Sequence, residues 1–228
     1  TPRTPGVAAE MIAHYIKQRK DFIKHVTVIE VEAPFAVPLD PDNPLLWYIG
    51  KVDKIVEWEG RIWGIEHKTT TSYKKNGPFK ATFIDSFSPN SQIDGYLHSL
   101  HMNYGDKVKG ILIDAALVHK QVHDGFKFIP ILRATEQLDA WLWEARNWIL
   151  RIQLEDHSLE EDEQQDTHMK AFPKNTDACQ DFFTNCTYIN ECKGRSNPLT
   201  YVNPPEGMVV KKWEPFDLLN LDKIGMKK

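Results

Sequence analysis

Gly50-Lys51-Val52-Asp53 and Glu66-His67-Lys68-Thr69 sit on the two arms of one stretch, Trp47 to Thr70, that decides the fold. Trp47–Trp58 and Arg61–Thr70 are rich in β-branched and aromatic residues and meet at Glu59-Gly60, which predicts a hairpin. A two-residue turn there pairs Trp58 with Arg61. Asp53 then falls opposite Glu66, with Cβ atoms roughly 4.5–5.5 Å apart. Lys68 lies two residues beyond Glu66 and shares its face, because side chains alternate along a strand. A bulge at the turn would shift this register by one.

Two carboxylates placed face to face repel unless a cation lies between them. A hard divalent cation such as Mg²⁺ takes oxygen ligands and keeps several waters. Held there, it would polarise a phosphodiester and lower the pKa of a bound water, with Lys68 stabilising charge on the phosphoryl oxygens. The competing picture is a surface hairpin whose Lys68 simply salt-bridges Glu66 or Asp53.

Outward from the hairpin, the helical spacing of Met11, Ile12, Tyr15, Ile16 and Phe22 predicts a helix over Ala8–Lys24. Val26–Val37 reads as a strand, ended by the Pro- and Asp-rich residues 38–44. Residues 71–87 read as a polar, lysine-bearing connection. Ser88 is the expected N-cap of the next helix, with Pro89 at its first position and Gly105 as its stop. Gly110–Val118 and Phe126–Leu132 are strand candidates. A long helix is expected from Thr135 to about Glu155, with Trp141 and Trp148 anchoring it in the core. Residues 155–166 carry seven acids and no base, as a solvated helix end or loop would. This alternation gives an α/β chain.

Gly-Lys-Val-Asp, a hairpin, then Ile-Glu-His-Lys-Thr-Thr resembles the signature of the PD-(D/E)XK nuclease superfamily in its RecB-type exonuclease form. Gln92-Ile93-Asp94-Gly95-Tyr96, 24 residues after Lys68, resembles the Gln-x-x-x-Tyr motif of that family. Its spacing of four puts Gln92 and Tyr96 on one helix face. The order of elements over residues 26–150 matches as well. The resemblance implies a restriction-endonuclease-like core, a central mixed β-sheet flanked by helices. It implies Mg²⁺ or Mn²⁺ held by Asp53, Glu66 and the His67 backbone carbonyl. Lys68 would complete the catalytic set, and Gln92 and Tyr96 would hold the phosphate or the lysine. Glu32, on the strand before the hairpin, is a candidate metal or supporting residue, or else an exposed strand residue. His14 occupies the place of a helix histidine that binds metal in such enzymes, but its Ala-His-Tyr-Ile context departs from the pattern.

Cys179, Cys186 and Cys192 resemble three C-terminal cysteines of the iron–sulfur branch of this family, where a fourth cysteine near the N-terminus completes a [4Fe–4S] cluster. The first gap is longer than usual here and no fourth cysteine is present. Three free structural thiols are the simplest expectation, and a zinc site would also need one more ligand.

The chain has 228 residues and a net charge of −4, with 41% apolar residues, which excludes a wholly disordered chain. The acidic total excludes a uniformly basic surface. Locally the balance reverses: Lys51 to Lys80 holds seven basic residues against four acids. Lys51, Lys74, Lys75 and Lys80 are therefore candidate DNA contacts, or ordinary solvated residues. Residues 1–170 are expected to form the nuclease core, with 171–228 as a cysteine-containing extension packed on it. The chain opens Thr1-Pro2-Arg3 without methionine, so a core truncated at its N-terminus is one expectation. No signal peptide or membrane span is legible, and a cytoplasmic protein of a bacterium or phage-infected cell is expected. The resemblance implies a metal-dependent DNA nuclease, an exonuclease of recombination, repair or phage DNA processing. DNA is the expected partner, and a single-strand annealing recombination protein is a second candidate. The alternatives are a catalytically impaired DNA-binding or scaffolding relative, and a Cys-centred metal-binding module.

Overall fold

Glu59 and Gly60 both have positive φ, 52° and 71°, and Trp58 pairs with Arg61. Such a tight turn twists in the sense of its flanking strands, so the hairpin register expected from the sequence holds. The computed structural model describes residues 4–40, 42–43, 45–71, 79–119, 124–162, 166–181 and 184–214. The hairpin strands are β2 (Trp47–Trp58) and β3 (Arg61–Thr70). β1 (Thr27–Pro38) runs antiparallel to β2. β4 (Val108–Leu117) runs parallel to β3, and β5 (Phe126–Ile131) antiparallel to β4. The sheet order is β1-β2-β3-β4-β5. A parallel β3–β4 pair needs a long crossover, supplied by α2 (Ala81–Asp85) and α3 (Ser91–Tyr104). α1 (Pro5–His25) precedes the sheet and α4 (Thr135–Glu160) follows it. The chain is an α/β protein with a central mixed sheet flanked by helices, as expected.

Each sheet face has its own apolar layer. Ala33, Phe35 and Val37 of β1, Val52 and Ile55 of β2, and Ile111, Ile113 and Ala115 of β4 pack with Ile93, Leu97 and Leu100 of α3. On the other face Val56, Trp63, Ile65 and Leu112 meet Phe22 of α1 and Phe128 of β5. The inward residues Val52 and Ile55 are three apart rather than two, so alternation slips across Asp53-Lys54. Opposite this slip, β1 is irregular too. Its register shifts between Val28 and Glu30, and Glu32 has φ 50°.

Three local expectations change. Asn90, not Ser88, caps α3: its side chain accepts the N–H groups of Gln92 and Ile93, and Ser88 instead accepts a hydrogen bond from Arg133. The segment expected to be a polar connection contributes apolar packing. Phe79 and Phe87 are buried, and Phe83 packs its ring against both. The four-residue spacing of the three phenylalanines is the sequence signal for this packing. Trp141 is buried as expected, but Trp148 is 63% exposed.

The chain divides into two compact units, the sheet-bearing one extending to Trp143 and the other comprising Glu144–Glu214. The second unit carries a two-stranded ribbon, β6 (Gln180–Asp181) and β7 (Thr184–Asn185), and the short α5 (Ile189–Gly194). Within its acidic stretch Asp162 is buried rather than solvated. Its carboxylate accepts the backbone N–H groups of Lys170 and Ala171. No helix among the described residues is long and apolar enough to cross a membrane.

Candidate active site

Alternation along β3 sends Glu66 and Lys68 toward α3 and His67 toward α1. Glu66 is only 4% exposed. Its Oε1 lies 2.8 Å from Lys68 Nζ, while its Oε2 is buried with no hydrogen-bond partner among the described residues. Lys68 Nζ also donates to Gln92 Oε1 at 3.0 Å, and Gln92 Nε2 donates to the Tyr96 hydroxyl at 3.0 Å. The structure thus brings Glu66, Lys68, Gln92 and Tyr96 into one hydrogen-bonded chain from β3 to the first turns of α3. Asn90 fixes where that helix starts. Gly95 fixes how close it lies, because a Cβ there would overlap the Tyr48 ring and hydroxyl.

Asp53 completes the group. The β2–β3 ladder ends at Lys54↔Ile65, one pair before Asp53 would reach Glu66. There the Asp53 side chain takes over as acceptor, and its Oδ2 receives the His67 backbone N–H at 2.8 Å. The slip in β2 places this carboxylate at the edge of the hairpin.

Burial pushes the Glu66 carboxyl above its ordinary range, the Asp53 charge adds to the rise, and Lys68 opposes it. Burial first, then the negative charge of Glu66, raises the Tyr96 hydroxyl to about 12. Tyr96 is therefore a neutral donor at physiological pH.

The donor set suits a hard divalent cation. Glu66 Oε2 is a buried oxygen without a partner among the described residues, and a second carboxylate, Asp53, adds to its charge. Mg²⁺ is commonly held by one or two carboxylates with waters completing its shell. Among the described residues no three His, Cys, Asp or Glu side chains converge tightly enough to hold a metal ion by themselves. Glu32 lies on β1 across from Asp53, between the Val31↔Lys54 and Ala33↔Val52 pairs. It is exposed and meets Lys51 Nζ at 3.3 Å, so Lys51 already has a carboxylate beside it. Lys80 is exposed at the start of α2, whereas Lys74 and Lys75 lie outside the described residues. His14 is exposed on α1. His98 turns away from the site, within 3.1 Å of the Pro38 carbonyl oxygen and against the Trp141 ring.

Cys179, Cys186 and Cys192 line one cavity of about 590 Å³ in the second unit, with Lys174 and Lys193 at its wall. All three are free thiols, and the Cys186 N–H bonds the Cys179 carbonyl at 2.9 Å. A four-thiolate cluster needs one more cysteine than the chain contains, so the thiols present do not make a complete cluster site.

A polar cluster on the α1 side of the sheet has no counterpart among the sequence-based expectations. Asp114 of β4, 3% exposed, stands beside His67 in the parallel ladder. Its carboxylate receives Tyr15 Oη at 2.5 Å and Arg19 Nη2 at 2.9 Å, and His67 Nδ1 lies 3.4 Å away. The available signal is one acid inside the apolar run Gly110–Leu117, since a buried charge requires partners.

No protein-family model matches the chain, and no curated protein does. Among solved structures it is similar to a protein from Eubacterium rectale described as a candidate exonuclease. The two are 16% identical with a TM-score of 0.48, over 94% of this chain and 65% of that one. The chain thus spans a little under two thirds of that protein.

Proposed function

We propose that the chain is a metal-dependent deoxyribonuclease acting on phosphodiester bonds, with exonucleolytic digestion as its mode in recombination, repair or phage DNA processing. The observation that carries this is the buried Glu66 oxygen, without a partner among the described residues, beside Asp53, in line with a lysine fixed between Glu66 and Gln92. Glu66, Asp53 and the His67 carbonyl would hold Mg²⁺ or Mn²⁺. When bound, the ion would polarise the phosphodiester and lower the pKa of a water. Lys68, held by two oxygens, would offer a preorganised charge to a phosphoryl oxygen or the attacking water. Gln92 sets the position of that ammonium. Tyr96, protonated, can donate to a phosphate oxygen.

End-labelled linear and circular DNA, incubated with Mg²⁺, Mn²⁺ or EDTA, tests the proposal. Loss of linear DNA with either metal, none with EDTA, and none with Asp53→Ala, Glu66→Ala or Lys68→Ala is expected. Equal cleavage by all three variants would overturn it, and degraded circles would replace the exonuclease with an endonuclease.

A second reading is a DNA-binding relative that no longer loads metal, favoured by the missing third side-chain ligand among the described residues. Calorimetric titration with Mn²⁺ separates the two: measurable binding lost in Glu66→Ala supports the enzyme, and a flat titration supports the binding protein.

A further inference from the structure

His67 is held at two points. Its backbone N–H, directed toward β2, binds Asp53, and its ring lies 3.4 Å from Asp114 Oδ2 on the α1 face of the sheet. Asp114 is itself fixed by two groups of α1. The Tyr15 hydroxyl reaches the same Oδ2, and Arg19 Nη2 reaches Oδ1. Arg19 is buried and lies over the Phe128 ring, 3.7 Å from its centroid. Burial alone would raise the Asp114 carboxyl, but hydrogen bonds from His67, Tyr15 and Arg19 outweigh it and leave the group below its ordinary value, ionised.

We propose that Asp114 is a positioning residue for the site, acting through His67 and steadied by Tyr15 and Arg19. Arg19 alone would neutralise a structural carboxylate. Here the same carboxylate also meets the ring of the residue between Glu66 and Lys68, so it fixes the rotation of the β3 backbone there. That rotation aims the His67 N–H at Asp53 and sends Glu66 and Lys68 toward α3. Partners of this kind, one step removed from the reacting groups, typically change activity or metal affinity about 10- to 100-fold.

The inference rests on the proposed nuclease, and a double-mutant cycle tests it. Asp114→Asn and His67→Ala should each lower kcat about 10- to 100-fold with KM little changed. The double variant should be no slower than the slower single, since both interrupt one connection. Tyr15→Phe, a milder change, should lower kcat in the same direction if Asp114→Asn fails to fold. Losses that multiply in the double variant, or wild-type kcat in Asp114→Asn and Tyr15→Phe, would overturn the inference. Hydrogen exchange supplies a readout independent of cleavage. The His67 amide should lose protection in the folded Asp114 or Tyr15 variant while the amides of Ile111 and Leu112 keep theirs. If the wild-type protein does not cleave DNA, the nuclease assignment fails and this amide alone decides: faster exchange supports the positioning role, and unchanged exchange overturns it.

Discussion

Gln92 accepts a hydrogen bond from Lys68 at 3.0 Å, so an α3 residue determines where a β3 cation rests. Removing Gln92 leaves the charge in place but frees it to move. Gln92→Ala should therefore slow single-turnover DNA cleavage about 10- to 100-fold. Lys68→Ala, which deletes the charge itself, should cost on the order of 10²- to 10³-fold or more. An unchanged rate in Gln92→Ala would remove the amide from any role in the site.

Glu66 has a carboxyl raised by burial above its ordinary value of 4.5. The folded state then binds that proton more tightly than the unfolded chain. The Glu66 contribution to wild-type stability is full below the ordinary value and is lost as pH rises through the raised folded value. Glu66→Gln lacks this term. The difference in Tm between Glu66→Gln and wild type should accordingly shift in favour of the variant between about pH 4 and about pH 8. Millimolar Mg²⁺ should raise Tm of the wild type and not of the variant. A pH-independent difference would contradict the burial argument.

Gly95 lets α3 approach Tyr48, whose ring occupies the space a Cβ would need. Gly95→Ala should destabilise the protein by about 1–3 kcal/mol, the usual cost of overpacking, read as a lower urea midpoint. Because the displaced turn carries Gln92 and Tyr96, the cleavage rate should fall as well. A variant with wild-type stability would show that Tyr48 moves aside without strain.

Lys80 is exposed at the start of α2. If it meets a phosphate, Lys80→Ala should lower the slope of log affinity against log salt by about 1, equally for unrelated DNA sequences. Lys51 shares its charge with Glu32, so Lys51→Ala should change that slope less.

The hairpin is legible in the sequence because a two-residue turn fixes register and strand alternation fixes facing. Those rules put Glu66 and Lys68 on one face of β3. The pairing of Gln92 with Tyr96 follows from helical spacing in the same way. What the rules omit is irregularity. Regular alternation gives no hint that β2 slips at Asp53-Lys54, and that slip is why Asp53 bonds the His67 N–H instead of standing in a ladder pair. Ser88-Pro89 also fits a helix start, which hides the true cap, Asn90. Tyr15 fits the apolar stripe of α1, although its hydroxyl requires a partner, and its partner Asp114 lies 99 residues away. Contacts over such separations are set by how elements pack, which local spacing does not encode.

The irregular outer strand has a colloidal consequence. β1 lies at the margin of the sheet, and Val28 and Val31 on it are exposed. A straight apolar margin of this kind would invite another molecule to add a strand and begin edge-to-edge association. The shifted register after Val28 and the left-handed Glu32 interrupt the run of unpaired backbone groups within a few residues. The same distortion that borders the site thus works against strand addition along this margin.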